Sequence, residues 1–247
     1  LAAAMLLWGA SATADTLDFL KPFWMQMMDG ASNTASGKIP ENVTVTCADE
    51  RLTVEACGVL LENDYSAEAH VYAVLKNNSS ERLPIRSVQM TVLGANGNTL
   101  HQENYVSYMP SVVEPGETML VSEWMYDFVK EIGKVDSIQI SVETASRAHE
   151  KWKQLGDVRA WLDGDYLCVE FTNTTEKTLF GVICAATVSD ANGQILDMMM
   201  QSPYDTDDLG IAQGSSIVWR KRLEDAATLK IGTDAVCKAW AYWMEDL

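Results

Sequence analysis

Apolar residues alternate with other residues along several short stretches after Val43, and a period of two is typical of β-strands with one buried face. In residues 68–76 the apolar positions are Ala69, Val71, Ala73 and Leu75. The same alternation returns at Leu167, Val169 and Phe171. In each case another alternating stretch follows. The pattern therefore predicts β-strands along the chain and no long amphipathic helix.

These stretches belong to an internal repeat. Residues 71–100 and 167–196 align without a gap at an offset of 96. Identical residues occur at Asn77/Asn173, Leu83/Leu179, Thr91/Thr187, Val92/Val188, Ala95/Ala191, Asn96/Asn192 and Leu100/Leu196. A repeat of this length is a small domain and not a solenoid unit, so the chain is predicted to contain one domain written twice.

Each copy places an Asn-Gly pair between two alternating strands, at Asn96-Gly97 and Asn192-Gly193. Asn-Gly favours a two-residue type I′ hairpin, because both residues tolerate positive φ. Asp190 beside the second pair could suggest a calcium loop, but the first copy has Gly94 there and the further oxygen ligands of such loops are missing. Both are interpreted as turns.

Each copy then continues with a Gly before another strand and a closing strand, about 135–144 and 235–243. Six or seven short strands in about 100 residues, with no helix long enough for a βαβ crossover, favour a β-sandwich. The fold class expected is all-β, with two tandem immunoglobulin-like β-sandwich domains at 42–146 and 153–247. The polar, charged stretch between them is the predicted linker.

The beginning of the sequence has a different character. Residues 1–14 are apolar and end in Ala12-Thr13-Ala14, a pattern that signal peptidase cuts, so they are interpreted as a signal-peptide remnant. Residues 15–41 are predicted to form an N-terminal helix and linker. The apolar run is shorter than the ~20 residues a bilayer requires, so no stable membrane span is expected in the mature chain. The predicted location is secreted or in the cell envelope.

Composition narrows the class of partner. The 247 residues carry a net charge of −17, and this field repels nucleic acid and anionic lipid, so a nucleic-acid partner is excluded. Hydrophobic residues make up 47% of the chain, enough for the cores of two domains.

The repeated string, from Leu75-x-Asn77 to Gly97 and from Phe171-x-Asn173 to Gly193, resembles the FxLYD-type domains and related immunoglobulin-like modules of bacterial envelope proteins. Neither copy ends in a clean aromatic-x-Leu-Tyr-Asp. The resemblance implies an extracytoplasmic module and no catalytic residues.

Residues that could support chemistry are few. The histidines, His70, His101 and His149, show no zinc-ligand spacing, and the solvent-facing parity of His70 predicts a surface residue. Asp205, Asp207 and Asp208 form the densest acidic cluster, where calcium and a solvated loop are the two alternatives. No metal, cofactor or catalytic residue is predicted, and the chain is expected not to be an enzyme.

The closing strand of the second copy offers a candidate binding surface. If Cys237, Ala239 and Ala241 face the core, Trp240 and Tyr242 project outward as an aromatic platform for a sugar or an apolar patch of a partner. A shift of one residue would make both rings core residues instead. Trp240 and Tyr242 are therefore the candidate ligand-binding residues.

Five cysteines leave at least one unpaired. The parity of Cys168 and Cys184 argues against a bond between them, which leaves Cys184 with Cys237 as the more plausible bridge, and Cys47 and Cys57 are close in sequence. The sequence leaves the pairing open.

The functional expectation is a non-enzymatic exported bacterial protein that binds a protein or glycan partner at the cell envelope. Two alternatives stay open. One is a carbohydrate-binding module that uses the aromatic face, and the other is a hydrolase whose triad the sequence does not reveal.

Overall fold

The computed structural model of the chain describes residues 38–62, 68–125, 135–147, 152–201, 210–223, 229, 231 and 234–245. Every regular element in these ranges is a β-strand, which confirms the all-β prediction. The same ranges contain no long apolar helix of the kind that crosses a membrane. The predicted signal-peptide remnant at 1–14, most of the predicted segment at 15–41, His149 and the three aspartates at 205–208 lie outside the described residues.

Ten of the described strands form the N-terminal lobe, which they place between residues 38 and 144. They are β1 (Lys38–Glu41), β2 (Thr44–Cys47), β3 (Leu52–Glu62), β4 (Glu68–Asn77), β5 (Leu83–Gly94), β6 (Thr99–Glu103), β7 (Ser107–Met109), β8 (Val112–Val113), β9 (Thr118–Met125) and β10 (Val135–Thr144). One sheet has the order β1-β3-β4-β9-β7 and the other β2-β10-β5-β6. Their inner faces enclose one apolar core.

The other seven strands in the described part of the chain form the C-terminal lobe, between residues 152 and 244. They are β11 (Trp152–Gln154), β12 (Val158–Asp163), β13 (Tyr166–Thr172), β14 (Ile183–Ser189), β15 (Ile195–Gln201), β16 (Ser216–Arg222) and β17 (Val236–Met244). The sheets have the orders β11-β17-β14-β15 and β12-β13-β16, with a second apolar core between them. Each lobe is therefore two sheets packed face to face.

The repeated residues occupy matching environments. Leu75 and Phe171, at the same repeat position, are both fully buried, and so are Val92 and Val188. Strand pairing agrees as well, because β4 pairs with β9 as β13 pairs with β16, and β5 with β10 as β14 with β17. The alternation read from the sequence thus predicts the inward faces of both copies.

The shared asparagine holds the turn that follows its strand. The side-chain amide of Asn77 donates to the carbonyls of Glu81 (2.7 Å) and Val113 (3.1 Å), and its Oδ1 accepts from the backbone and hydroxyl of Ser79. In the second copy Asn173 makes the same four bonds, with these partners: Lys177, Ile211 and Thr175. Both asparagines are fully buried, so all four bonds replace bonds to water.

The Asn-Gly turns are longer than predicted. In the first copy the Gly97 amide donates to Gly94 and the Gly94 amide donates to Asn98, with Gly97 at φ +72°. The second copy repeats this arrangement around Gly193, where the Asp190 carboxylate also accepts from two loop amides. The type I′ prediction is wrong: these are three-residue loops that need one positive-φ glycine.

The two lobes pack against each other through one sheet of each. Leu60, Tyr72, Val74 and Leu120 on the outer face of β3-β4-β9 meet Ala185, Met198, Trp240 and Tyr242 on the outer face of β14-β15-β17. This buried contact is called the lobe interface below. The carbonyl of Glu41 also accepts a bond from the side chain of Gln194 (3.3 Å) across it.

Candidate functional site

The predicted aromatic platform is not exposed. Ala241 lies in the core of the C-terminal lobe, so the inward face of β17 agrees with the expected parity. Trp240 and Tyr242 do project away from that core, but the N-terminal lobe covers them, leaving 9% and 1% of their surfaces exposed. The Tyr242 hydroxyl donates to the carbonyl of Thr118 (3.3 Å), and burial raises its pKa. The prediction of exposed rings is wrong because strand alternation alone cannot show that a second lobe covers the sheet.

Replacing Trp240 tests this burial. We expect Trp240→Ala to lower the free energy of unfolding by about 3 kcal/mol, since it removes a large side chain from a packed interface. Tyr105→Ala is the matched control, because Tyr105 is 90% exposed and should change stability by less than about 0.5 kcal/mol. Urea unfolding of both variants provides the measurement. Equal stabilities would contradict the packing role of Trp240.

His70 is also buried, contrary to the surface position predicted for it. Its side chain projects from the same face of β4 as Tyr72. There the Trp124 indole donates to its Nδ1, and the Tyr72 hydroxyl lies 3.3 Å from the same atom. The parity was predicted correctly, but the face it points to is covered. His101 is half-buried at the edge strand β6.

All five cysteines are free thiols. The predicted Cys184–Cys237 bridge is wrong. Cys184 lies opposite Ala241 on β17, and Ala241 is four residues, or about 13 Å, from Cys237 along that strand. Burial raises the pKa of every thiol, to about 12 for Cys184. These cysteines are protonated at neutral pH and are poor nucleophiles.

Metal-ligating side chains do not gather in the part of the chain that the structure describes. No group of three or more His, Cys, Asp or Glu residues there is close enough to hold an ion. The calcium alternative at residues 205–208 lies outside that part and stays untested.

The outer face of the sheet β12-β13-β16 carries the most chemically varied surface of the C-terminal lobe. It is called the Arg-aromatic face below. Its members form three rows across the strands: Arg159, Glu170 and Val218; Trp161, Cys168 and Arg220; Asp163, Tyr166 and Arg222. Strand alternation places all nine side chains on the side away from the core.

Arginines cover both aromatic rings of this face. The guanidinium of Arg220 lies 4.5 Å from the centre of the Tyr166 ring and donates to Asp163 (2.8 Å). The guanidinium of Arg159 lies 5.4 Å from the centre of the Trp161 ring and is paired with Glu170. These contacts place each guanidinium beside an acid and over a ring, so a cation occupies one face of each ring.

Cys168 lies beneath this layer. Its thiol is buried on the outer side of the sheet, where burial raises its pKa and the charge of Arg220 opposes the shift. The outward parity expected for Cys168 agrees with its absence from the lobe core, but its neighbours in the row shield it from solvent.

The equivalent face of the N-terminal lobe is quite different. Strand pairing makes Ala56, Gly58 and Leu60 the counterparts of Arg159, Trp161 and Asp163. Tyr72 and Val74 likewise correspond to Cys168 and Glu170. In the N-terminal lobe these positions hold small or apolar residues and Tyr72, and the C-terminal lobe covers them. In the C-terminal lobe all of them except Cys168 are charged or aromatic, and this face points outward.

The sequence held a signal for this face that the aromatic-platform argument missed. Residues 158–163 place Arg159, Trp161 and Asp163 at alternate positions, on the opposite side from Val158, Ala160 and Leu162. Extending the repeat comparison from β13 to β12 would have shown that these positions differ from their small or apolar counterparts on β3.

Comparisons with known proteins leave the family open. No family model matches the chain, and no curated protein matches it. Among solved structures it is similar to the red sea bream transglutaminase, at 11% identity and a TM-score of 0.20. That match covers 80% of this chain and 28% of the enzyme, so the chain spans less than a third of the enzyme's length.

Proposed function

We propose that this is a non-enzymatic, exported bacterial protein whose two immunoglobulin-like modules form one rigid body that binds a protein partner at the cell envelope. The observation that carries the proposal is the divergence of the repeat between the two lobes. One copy of the face has become an internal interface, and the other has become the Arg-aromatic face. A face on which arginines pack over aromatic rings is typical of recognition surfaces.

The charge of the face favours an acidic protein surface as its partner. Arg159, Arg220 and Arg222 stand on it with two acids, Asp163 and Glu170, in a chain whose net charge is −17. Locally the balance is positive, so an acidic partner is attracted there and repelled elsewhere. A glycan would need a bare ring to stack on, and here arginines occupy one side of each ring.

The state of the thiols supports a non-catalytic function. Raised pKa values keep all five protonated at neutral pH, which removes the thiolate that cysteine hydrolases use. Activity-based probes for serine and cysteine hydrolases should label nothing on the purified chain, and labelling would contradict the proposal.

Site-specific photocrosslinking tests the proposed surface. We expect a photoreactive phenylalanine analogue at Tyr166 to crosslink a discrete envelope protein in intact cells. The same analogue at Gln89, on the polar outer face of β5, is the matched control and should give no such product. Arg220→Glu should abolish the crosslink at Tyr166, because it reverses the charge that attracts an acidic surface. Equal crosslinking from both positions, or none from Tyr166, would contradict the proposal.

A further inference from the structure

The two hairpin loops of the repeat contain the same three-residue sequence. Ala95-Asn96-Gly97 connects β5 to β6, and Ala191-Asn192-Gly193 connects β14 to β15. All six residues are exposed, and the two glycines have φ angles of +72° and +85°. The molecule therefore presents the same reactive pair of residues twice, in two loops of related shape.

An asparagine that precedes a glycine can react with its own backbone. The amide nitrogen of the glycine attacks Cγ of the asparagine, and the new N–C bond closes a five-membered imide. The side-chain nitrogen takes up the proton that the glycine amide loses and leaves as ammonia. Water then opens the imide at either carbonyl, which gives aspartate or isoaspartate. Glycine favours the attack because it has no Cβ atom to hinder the approach.

Both loops close with the same backbone hydrogen bond. The Gly97 amide donates to the carbonyl of Gly94 (2.7 Å), and the Gly193 amide donates to that of Asp190 (3.0 Å). This bond has to open before the glycine nitrogen can attack. It slows the reaction in either loop relative to an unfolded chain, so it does not protect the second loop alone.

The surroundings of the two asparagines differ at one position. In the second loop the carboxylate of Asp190 accepts from the backbone amide of Asn192 (2.9 Å) and from its side-chain Nδ2 (3.3 Å). In the first loop that position is Gly94, which has no side chain. Within the described residues, the side chain of Asn96 makes no hydrogen bond.

Asp190 opposes closure of the imide in two ways. The side chain of Asn192 has to turn toward the Gly193 nitrogen, which breaks its bond to the carboxylate. The glycine nitrogen also carries negative charge after it has lost its proton, and a carboxylate beside the reacting atoms raises the energy of that anion. Neither effect operates at Asn96.

We propose that Asn96 is a site of spontaneous deamidation in the folded chain and that Asp190 protects Asn192 from the same reaction. Asn192 and Gly193 line a cleft between the lobes, where Gln194 donates to the carbonyl of Glu41. Isoaspartate there would lengthen the backbone beside the lobe interface. The protected asparagine is thus the one whose loop contacts the other lobe. This reaction needs no partner, so it does not depend on the proposed function.

Peptide mapping of the purified full chain tests the proposal. During incubation in mildly alkaline buffer, the acid forms should accumulate at Asn96 at least about fivefold faster than at Asn192, which is the effect of one lost hydrogen bond. Mass spectrometry of proteolytic fragments measures both sites in one sample. In guanidinium the two rates should become equal, because each asparagine then stands in the same Ala-Asn-Gly sequence without a folded neighbour.

Two variants assign the difference to Asp190. Asp190→Gly gives the second loop the residue of the first, and the rate at Asn192 should rise to that at Asn96. Glu176→Ala is the matched control, because it removes a charge of the same sign from another exposed loop of the lobe and should leave the rate unchanged. Thermal unfolding shows whether each variant is folded.

Equal rates at Asn96 and Asn192 in the folded chain, or a faster reaction at Asn192, would overturn the proposal. The same holds if a folded Asp190→Gly variant keeps the slow rate at Asn192. Should that variant fail to fold, the unchanged chain decides the question. A difference between the sites that persists in guanidinium would come from the sequence and not from Asp190, and it would overturn the proposal as well.

Discussion

Asn77→Asp should unfold the N-terminal lobe or lower its free energy of unfolding by about 4–6 kcal/mol. The substitution preserves shape but replaces an amide that donates to the carbonyls of Glu81 and Val113 with a carboxylate that only accepts. Two buried carbonyls lose their donor and then face a negative charge in an environment with no water. Chemical denaturation at pH 7 measures the loss.

The neighbouring residue supplies the control. Asn78 also uses its side-chain amide, but its bond to Thr53 is exposed, so Asn78→Asp should cost less than about 1 kcal/mol. The new carboxylate at position 77 will have a raised pKa in the folded state, because burial disfavours its charged form. Its penalty relative to the unmodified chain should therefore be complete at pH 7 and shrink as the pH falls toward about 4. A penalty equal to that of Asn78→Asp, or one that does not change with pH, would contradict the buried-amide argument.

The second copy allows the same experiment twice. Asn173→Asp should have an effect of similar size, since Asn173 is equally buried and donates to Lys177 and Ile211 in the same geometry. The agreement of these bonds explains why the asparagine is shared by the copies while the residues around the turn differ. A side chain that satisfies two carbonyls and two donors at once has few substitutes.

What the sequence could predict is the part of the fold that depends on alternation alone. Leu75 and Phe171, or Val92 and Val188, face inward because every second residue of a strand must do so when one side is buried. The same rule correctly predicted that Trp240 and Tyr242 point away from the core of their own lobe. It could not predict their burial, because alternation identifies a side of a sheet and not what lies beyond it.

The repeat itself carried the missing information. At the positions of Trp240 and Tyr242 the first copy has Ser141 and Glu143, which suits an uncovered face. Apolar residues on the outward side of only one copy indicate a covering partner, and here the partner is the other lobe. The contact joins the β3-β4-β9 face of one lobe to the β14-β15-β17 face of the other, which are not equivalent in the repeat. The outer faces of the other two sheets are therefore left out of this contact.

Long-range polar pairs were also beyond the reach of the sequence. Lys221 lies at an inward-facing position of β16, where a charged side chain is not expected. It reaches across the lobe to Asp197 on β15 (3.1 Å), a carboxylate that is itself buried. The charge is tolerated because its partner comes from the opposite sheet, and only the three-dimensional arrangement shows this.

Gly58→Val should separate the two lobes. A Cβ atom at Gly58 would lie 1.8 Å from the Ile195 carbonyl oxygen, and that oxygen belongs to the backbone, so it cannot move aside as the end of a flexible side chain could. The clash has to be relieved by displacing one sheet from the other, which exposes the apolar side chains of the lobe interface. We expect a loss of at least about 4 kcal/mol in the free energy of unfolding and a larger radius of gyration by small-angle X-ray scattering.

Gly156→Val is the control for Gly58→Val, because a Cβ at Gly156 meets nothing within 4 Å and should change stability by less than about 1 kcal/mol. The C-terminal lobe shows the same strand position without the close contact. There the counterpart of Gly58 is Trp161, a large side chain on a sheet face that the other lobe does not cover. The strand position therefore accepts a side chain, and only the approach of Ile195 requires a glycine. If Gly58→Val kept both the stability and the dimensions of the unmodified chain, the close contact between the lobes would be refuted, and with it the burial of Trp240 and Tyr242.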